Sequence, residues 1–229
     1  MSSTINFYNV LARVFDFSSR YIGRYRAPDF LRPYVLSLTT PESNVLDIGI
    51  GTGHAIEAIY HQRQFASIHG VDTSGEMLRR CKRKFPDMHL HEGDVFLLPE
   101  DFNRWFHLII CMGAVEHIPD LSRFFVRCGE LLHDDGHFVF TYEPVIVYKK
   151  NQQDPHGHLK FFSNIPCYRH HPAEIAKHLN SAGLLVVDDR EFVAYLGMVF
   201  HMVIARKITR PHDGLENGMT KSAGPHNNT

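Results

Sequence analysis

The sequence has few cysteines and no excess of charge of either sign. Its four cysteines lie 30, 17 and 39 positions apart along 229 residues, which matches neither a zinc-binding pattern nor a dense disulfide framework. We therefore expect reduced and mostly buried thiols. The 24 basic residues balance 25 acidic residues to a net charge of −1. This balance does not provide the bulk electrostatic attraction by which proteins bind nucleic acids or anionic membranes.

Long hydrophobic runs are missing as well. The longest apolar stretch, residues 192–205, contains His201 and is shorter than the roughly 20 residues that a membrane-spanning helix needs. The first residues, Met1 to Thr4, do not begin a basic segment followed by an apolar one, so no signal peptide is apparent. The expectation is a cytoplasmic protein without a membrane span. An apolar fraction of 44% is sufficient for one large buried core.

Strand patterns and helix patterns alternate along the first two thirds of the chain. Short apolar runs predict strands over residues 44–48, 67–71, 88–91, 107–112 and 137–142. Helices are predicted over residues 53–62, from the cap Ser74 to Lys84, and over 121–133. The sequence Asp134-Asp135-Gly136 is expected to stop the last of them. This alternation with short turns indicates a parallel, doubly wound α/β sheet.

The two ends of the chain follow other patterns. Residues 5–25 predict two short amphipathic helices with a break near Ser18 and Ser19. After residue 171 a helix is predicted over 172–182, followed by strands over 184–192 and 197–206. These two strands are too close in sequence for a helical crossover, so we expect an antiparallel hairpin. Residues 207–229 contain almost nothing apolar and are expected to form a disordered tail after a domain of residues 1–206.

A glycine-rich turn follows the first predicted strand. Residues 45–53 have the sequence VLDIGIGTG, with Gly49, Gly51 and Gly53 at alternate positions. Such glycines let the backbone turn tightly and let a ligand approach without side-chain clashes. The dinucleotide version, G-x-G-x-x-G, would place its third glycine where this chain has His54. Asp47 inside the strand can hold the loop or face a cation, so a positively charged ligand fits better than a pyrophosphate.

Carboxylates also follow the next two predicted strands. Asp72 ends the second strand 23 residues after Gly49, where a carboxylate can accept two hydroxyls of a ribose. Asp94 and Val95 follow the third strand. There the carboxylate of Asp94 can accept a hydrogen bond from an exocyclic amine, and Val95 can pack on the face of an adenine. Gly113 follows the fourth strand and leaves room for the amino-acid end of a ligand. The alternatives are a helix cap at Asp72 and a plain turn residue at Asp94.

Five segments in this order and spacing carry a resemblance to a known family: VLDIGIGTG, HGVDTSGEML, LHEGDVFLLP, HLIICMGAVEHIPD and LLHDDGHFVFTYEP. Over roughly residues 8–206 the chain resembles the class I S-adenosylmethionine-dependent methyltransferases, especially the small-molecule branch of ubiquinone-biosynthesis and natural-product enzymes. The resemblance implies a Rossmann-like, doubly wound sheet of seven strands, mostly parallel with an antiparallel last strand. One departure is His107, where the family usually has Asp. It opens the fourth strand, far from the ligand, so we interpret it as structural.

Position by position, the resemblance implies how S-adenosylmethionine would be held. The glycine loop with Asp47 would line its methionine part, the residues ending the second strand would bind its ribose, and those after the third its adenine. An N-terminal helical lid, residues 1–30, would close over the cofactor. The residues assigned to the cofactor in this way are Asp47, Gly49, Gly51, Gly53, Asp72, Thr73, Asp94, Val95, Gly113 and Tyr21.

The loop after the fourth predicted strand contains the candidate catalytic base, His117. Methyl transfer from a sulfonium is an in-line displacement, and an acceptor hydroxyl must also lose its proton. The rival interpretations are that His117 caps the helix near Pro119 or packs on the cofactor. The chain has 17 histidines, among them the pairs in His156-Gly157-His158 and His170-His171, but their spacing does not favour a metal site.

A small-molecule acceptor is expected, partly because motifs for other acceptors are missing. The chain has no Asn-Pro-Pro-Tyr or Asp-Pro-Pro-Tyr after the fourth strand, and it has no basic excess. Aromatic residues in segment 143–171, interpreted as an insertion on the substrate side, favour an aromatic or apolar acceptor, with core packing as the alternative. The competing hypotheses are a protein or RNA methyltransferase and a non-methylating relative that binds the cofactor. The oligomeric state stays open.

Overall fold

The computed structural model describes residues 2–17, 26–145, 156–158, 166–193 and 198–208. The predictions for Tyr21, for the break near Ser18 and Ser19, and for most of the tail lie outside these ranges. The helices within them are α1 Ser2–Leu11, α2 Phe15–Phe17, α3 Ala27–Leu38, α4 His54–Tyr60, α5 Gly75–Lys84, α6 Leu121–Leu131 and α7 Pro172–Ser181. No helix in the described part of the chain is long and apolar enough to cross a membrane.

Seven strands form one sheet, and two short ones form a separate pair. The strands are β1 Asn44–Ile48, β2 Ser67–Asp72, β3 His89–Glu92, β4 Phe106–Cys111, β5 Leu132–Tyr142, β6 His156–His158, β7 Pro166–Tyr168, β8 Leu184–Val193 and β9 Val199–Lys207. The large sheet has the order β3-β2-β1-β4-β5-β9-β8, and β6 pairs with β7. Strands β1 to β5 are parallel, whereas β9 runs antiparallel to both neighbours. The predicted doubly wound sheet with an antiparallel last strand is confirmed.

Helices bury both faces of this sheet. On one face Phe138 and Phe140 of β5 pack in a cluster with Phe124 of α6. On the other face Val139 belongs to a cluster with Ile56 of α4 and side chains of α3. Burial on both faces explains why the strands are nearly continuous apolar runs rather than alternating ones.

Three elements differ from the sequence prediction. The first helical segment is already interrupted at residues 12–14, before the predicted break. Helix α3 was not predicted; it has Pro28 in its first turn and buries Leu31 and Val35. Strand β5 begins at Leu132, so Asp134, Asp135 and Gly136 lie within a strand instead of ending a helix. Leu132 pairs with Phe106 before a register shift in β4, and it is fully buried. Tertiary pairing therefore overrides the turn preference of this Asp-Asp-Gly sequence.

Parallel strands bring their carboxyl ends to one edge of the sheet. In the register, Asp47 pairs with Ile110, and Ile110 with Val139. The residues that follow β1, β2, β3 and β4 therefore meet at this edge, where ligands of open α/β sheets bind. Apart from Tyr21, which lies outside the described residues, the sequence-predicted site residues are at these strand ends or on the four loops that follow them.

A pair of histidines on the neighbouring strands β2 and β3 is expected to make the free energy of unfolding depend on pH. His69 of β2 is 8% exposed, and its Nδ1 lies 3.1 Å from Nε2 of His91 on β3. Burial, and secondarily the neighbouring His89 and His91, lower the pKa of His69 to about 4. The folded protein thus resists a protonation that the unfolded chain accepts near pH 6.5.

We expect His69 to lower the free energy of unfolding by about 2–3 kcal/mol as the pH decreases from about 6.5 to about 4. The reason is that the unfolded chain takes up a proton on His69 in this pH range, whereas the folded protein, with its lowered pKa, does not. Urea unfolding at pH 7 and pH 4.5 should show this loss in the wild type and in the exposed control His61→Gln. The variant His69→Leu should lack it. An identical pH dependence in His69→Leu and the wild type would contradict the assignment.

Candidate functional site

The glycine loop after β1 has a left-handed backbone at three positions. The φ angles of Gly49, Gly51 and Gly53 are 70°, 55° and 83°, which glycine alone adopts without strain. A Cβ on Gly49 would lie 2.6 Å from Cβ of Ala114, so this glycine permits close contact with the loop after β4. A Cβ on Gly51 would have open space around it, with only the Gly49 carbonyl oxygen as near as 4.0 Å. Gly51 therefore leaves room for a ligand against the loop.

Gly53 has a packing role in the structure. A Cβ at this position would lie 2.6 Å from the ring of Phe85 and 3.0 Å from Sγ of Cys81, the latter on α5. Gly53 also precedes α4 directly. The closeness of Phe85 and Cys81 is enough to explain a glycine at this position by packing. The contact of Gly53 with the methionine part of the cofactor therefore stays a prediction.

The carboxylate of Asp72 connects two loops of the site. Its Oδ2 accepts the backbone N–H of Gly51, and its Oδ1 accepts that of Ser74, each at 2.8 Å. A carboxylate offers about four lone-pair positions, so each oxygen keeps one for a ligand hydroxyl. Burial raises the pKa of Asp72, while the two amides lower it. The arrangement fits a ribose acceptor that also fixes the glycine loop.

Backbone contacts join the remaining loops to the same place. The amide of Gly49 donates to the carbonyl oxygen of Val71 at 2.8 Å, and the amide of Gly93 donates to that of Asp72 at 2.9 Å. The loops after β1, β2 and β3 are thus tied together, and the Gly49–Ala114 contact adds the loop after β4. The structure brings the predicted cofactor residues on these four loops to one edge of the sheet.

Asp47 is a buried carboxyl that lacks a complete set of partners. It is 1% exposed, and its Oδ2 has no hydrogen-bond partner among the described residues. Burial, and secondarily the charge of Asp72, hold the pKa of Asp47 well above its usual range. A cationic ligand group nearby would offset both effects. The orphaned oxygen and the space at Gly51 fit S-adenosylmethionine, which carries a sulfonium and an ammonium.

The residues predicted to contact adenine have mixed surroundings. Asp94 Oδ1 accepts the amide of Phe96 at 3.2 Å and so caps a single 3-10 turn. Val95 is buried in the core cluster next to α6, and Thr73 is exposed. Asp94 thus makes the contact that its alternative interpretation as a turn residue requires, and its contact with adenine stays a prediction. Gly113 has a φ of 71° and donates its N–H to Thr141 Oγ1 at 2.9 Å.

Helix α1 lies across the loops of this edge. Asn9 Oδ1 accepts the hydroxyl of Ser74 at 2.6 Å, which ties α1 to the loop after β2. On the same helix the Tyr8 hydroxyl lies 2.7 Å from Nε2 of His117, after β4. Asp16, on the following helix α2, accepts a hydrogen bond of 2.5 Å from the hydroxyl of Thr52 in the glycine loop. Sequence reasoning counted Tyr8 only as part of an apolar stripe and missed Asn9 and Asp16.

His117 has both ring nitrogens engaged. Nδ1 lies 3.2 Å from the carbonyl oxygen of Pro166, which can only accept, so Nδ1 carries the proton and Nε2 accepts from Tyr8. Burial lowers the pKa of His117, partly offset by the Pro166 carbonyl. The imidazole is therefore neutral at pH 7 with an accepting Nε2, as a general base requires. Asp120 caps α6 by accepting the Arg123 amide, so the rival interpretation of His117 as that cap is wrong.

Comparison with known proteins agrees with this geometry. A family model described as "Methyltransferase domain" matches residues 45–136. A ubiquinone biosynthesis O-methyltransferase of Coxiella burnetii (strain Dugway 5J108-111) is 27% identical over 168 residues, which cover 66% of this chain and 67% of the relative. A dTDP-3-amino-3,4,6-trideoxy-alpha-D-glucopyranose N,N-dimethyltransferase of Streptomyces venezuelae is 29% identical over 48% of this chain and 46% of its own. The chain thus spans about half the length of some relatives.

A solved structure has the same fold. The S-adenosylmethionine-dependent methyltransferase from Clostridium acetobutylicum ATCC 824 superposes with a TM-score of 0.68 at 19% identity, over 88% of this chain and 99% of that one. The family model covers the glycine loop, Asp72 and the loop after β4, which are the parts that form the site. These similarities support a class I S-adenosylmethionine-dependent methyltransferase with S-adenosylmethionine as its cofactor.

Proposed function

We propose that this enzyme transfers the methyl group of S-adenosylmethionine to a small-molecule acceptor, at a hydroxyl oxygen in the first instance. The observation that carries the proposal is the position of α1 across the carboxyl edge of the sheet. Its contacts Asn9–Ser74 and Tyr8–His117 connect α1 to the loops after β2 and β4. A site covered in this way suits a small ligand better than a folded macromolecule. The similarity to the O-methyltransferase of Coxiella burnetii supports the same acceptor class.

In this proposal the cofactor is held by residues at the strand ends. Asp72 binds the ribose hydroxyls, Asp47 faces the positively charged part, and Gly51 gives the ligand access to the backbone. The supporting observations are the free lone pairs of Asp72, the orphaned Asp47 Oδ2 and the open space at Gly51. The bound cofactor supplies an electrophilic methyl group, and the protein aligns the acceptor oxygen with it and excludes water.

His117 acts as the general base for an acceptor hydroxyl. Its neutral imidazole presents Nε2 as the accepting nitrogen, with Nδ1–H held by the Pro166 carbonyl. The Tyr8 hydroxyl occupies Nε2 at 2.7 Å, and the acceptor hydroxyl takes its place on binding. The proton moves from the acceptor oxygen to Nε2 as the oxygen–methyl bond forms, and the sulfur–methyl bond that breaks would leave its electron pair on the sulfur of the cofactor. The imidazolium then releases it to solvent.

The domain assignment belongs to the same proposal. Residues 1–206 form the catalytic domain, residues 1–30 act as a lid, and residues 143–171 contribute to the acceptor side. The contacts of α1 with Ser74 and His117 support the lid, and the contact of Pro166 with His117 supports the role of the segment after β5. A cytoplasmic location, expected from the sequence, completes the proposal.

Radiolabelled methyl transfer into a cell lysate tests the acceptor class. The purified protein is incubated with S-adenosylmethionine labelled in its methyl group and a lysate of the source cells, and the products are separated by size. We expect the label in the small-molecule fraction, in an extractable compound. Label in protein or RNA would contradict the proposal and favour a macromolecular acceptor. No transfer, together with measurable cofactor binding by calorimetry, would indicate the non-methylating alternative.

A further inference from the structure

Glu116 is a buried carboxyl in the loop after β4, next to the proposed base. It is 5% exposed, and neither side-chain oxygen has a hydrogen-bond partner among the described residues. It belongs to a short 3-10 helix, Val115–His117. Leaving a polar group buried without partners costs stability. A group of this kind at a ligand-binding edge points to a partner that the described residues do not provide.

The groups that face Glu116 come from three elements. Glu143 follows β5 and forms an ion pair with Arg169 at 2.7 Å. Cys167 on β7 and Cys111 at the end of β4 both have thiols whose pKa is raised by burial, so both are neutral. None of these groups gives Glu116 a cation of its own.

The carboxyl of Glu116 is therefore uncharged at neutral pH. Burial raises its pKa to about 8; its own backbone amide lowers the pKa, and the charge of Glu143 raises it further. In the protonated form the carboxyl has one O–H donor and one carbonyl acceptor. It can therefore bind an uncharged hydroxyl or carbonyl group, donating a hydrogen bond through its O–H or accepting one at its carbonyl oxygen.

A second orphaned group lies at the same edge of the sheet. Tyr142, the last residue of β5, is fully buried, and its hydroxyl has no partner among the described residues. The register of β4 and β5 pairs Cys111 with Phe140, which sets Tyr142 level with Gly113. Val115, beside Glu116, packs in the same cluster as Tyr142. The ring of Tyr142 stacks on that of His201 on β9, so Tyr142 places a second polar group without a described partner at this edge, on the β9 side of β5.

We propose that Glu116 is an acceptor-binding residue whose uncharged carboxyl forms hydrogen bonds with an oxygen substituent of the methyl acceptor. This inference rests on the proposed function and adds the acceptor's chemical class: an uncharged small molecule with a hydroxyl or carbonyl group besides the methylated one. A carboxylate substituent would be repelled by Glu143. A cationic acceptor would require Glu116 in its ionised form.

Two variants of Glu116 separate binding from structure. Glu116→Leu removes the orphaned polar atoms, so its melting temperature should rise by about 2–4 °C, the shift of about 1 kcal/mol in a domain of this size. Its labelled methyl transfer into the small-molecule fraction should fall by about 10²-fold, while calorimetric affinity for S-adenosylmethionine stays within about threefold. Glu116→Gln keeps a neutral donor and acceptor, so its transfer should stay within about fivefold. The exposed control Glu100→Gln should match the wild type in all three measurements.

A pH series checks the uncharged form without any acceptor. The pKa of Glu116 in the fold, about 8, lies above the value of about 4.3 in an unfolded chain. Its stabilising contribution is therefore complete below the unfolded value and is lost as the pH rises to about 8. The melting temperature of the wild type should fall relative to that of Glu116→Gln between pH 5 and pH 9.

The outcomes distinguish the inference from the proposed function. A lower melting temperature of Glu116→Leu would show that the carboxyl has a structural role, and unchanged transfer would show that it does not contact the acceptor. Equal loss of transfer in Glu116→Gln and Glu116→Leu would show that a neutral donor and acceptor is not sufficient, and parallel pH series would show that the carboxyl is ionised in the folded protein at neutral pH. Each of these results overturns the inference while the proposed function stands. A wild type that transfers no methyl to small molecules overturns both.

Discussion

Replacing Asp72 by alanine is expected to weaken the binding of S-adenosylmethionine by about 30- to 150-fold. This loss of affinity corresponds to about 2–3 kcal/mol of binding free energy, the size expected for the charge-assisted hydrogen bonds to the ribose hydroxyls. The structure adds a second effect, because the same carboxylate accepts the amides of Gly51 and Ser74. Its removal leaves two backbone donors without their acceptor, so we also expect a loss of about 1–2 kcal/mol in the free energy of unfolding.

Calorimetric titration with S-adenosylmethionine and S-adenosylhomocysteine measures the first effect, and denaturant unfolding measures the second. Asp72→Asn is not a neutral control, because its amide nitrogen would face either the Gly51 or the Ser74 amide, both of which are donors. Asp87→Ala, the same change at an exposed position, is the suitable control. Unchanged cofactor affinity in a folded Asp72→Ala protein would contradict the ribose assignment.

Replacing His117 by glutamine is expected to lower turnover by about 10²- to 10⁴-fold, the usual share of general acid–base catalysis, with cofactor affinity nearly unchanged. Glutamine retains hydrogen bonding to the Pro166 carbonyl but offers no basic nitrogen to the acceptor. The wild-type rate should increase with pH through a midpoint below about 6.5, because burial lowers the pKa of His117. Initial rates of labelled methyl transfer at several pH values provide both readouts.

Tyr8→Phe is the matched control for this prediction. It removes the hydroxyl that occupies Nε2 but leaves the base intact, so we expect turnover within about fivefold of the wild type and an unchanged pH midpoint. If His117→Gln reduces turnover only slightly, the acceptor is an amine that arrives neutral and needs no base. Loss of turnover together with cofactor affinity would show that His117 shapes the cofactor site, and the catalytic assignment would then be wrong.

The fold of this protein was predictable because its elements have strong local signals. The strands Asn44–Ile48 and Ser67–Asp72 are short apolar runs next to turns, and Ser74 caps the following helix as predicted. Sheet order then follows from general connection rules rather than from individual residues. The extension of β5 back to Leu132 was missed, because pairing with β4 outweighs the local preference of Asp-Asp-Gly for a turn.

The cofactor residues were partly predictable for a similar reason. Asp72 ends β2 and Gly51 lies three residues after β1, so motif spacing alone placed them at one edge of the sheet. Their mutual hydrogen bond was not visible in the sequence, and neither was the packing role of Gly53 against Phe85. A motif identifies the loop, whereas only the folded backbone shows which glycine leaves space for a ligand.

The acceptor side depends on contacts between distant parts of the chain. Tyr8 and His117 are 109 residues apart, and Asn9 and Ser74 are 65 apart. No periodicity or motif encodes such pairs, because they arise from how helices pack against loops after the sheet has formed. The burial of Glu116 without a partner among the described residues is of the same kind, since burial is a property of the assembled core. The sequence by itself determined the sheet and the cofactor loops through local patterns. The tertiary structure decided which polar side chains meet His117 and Ser74, because these contacts join residues far apart in the chain.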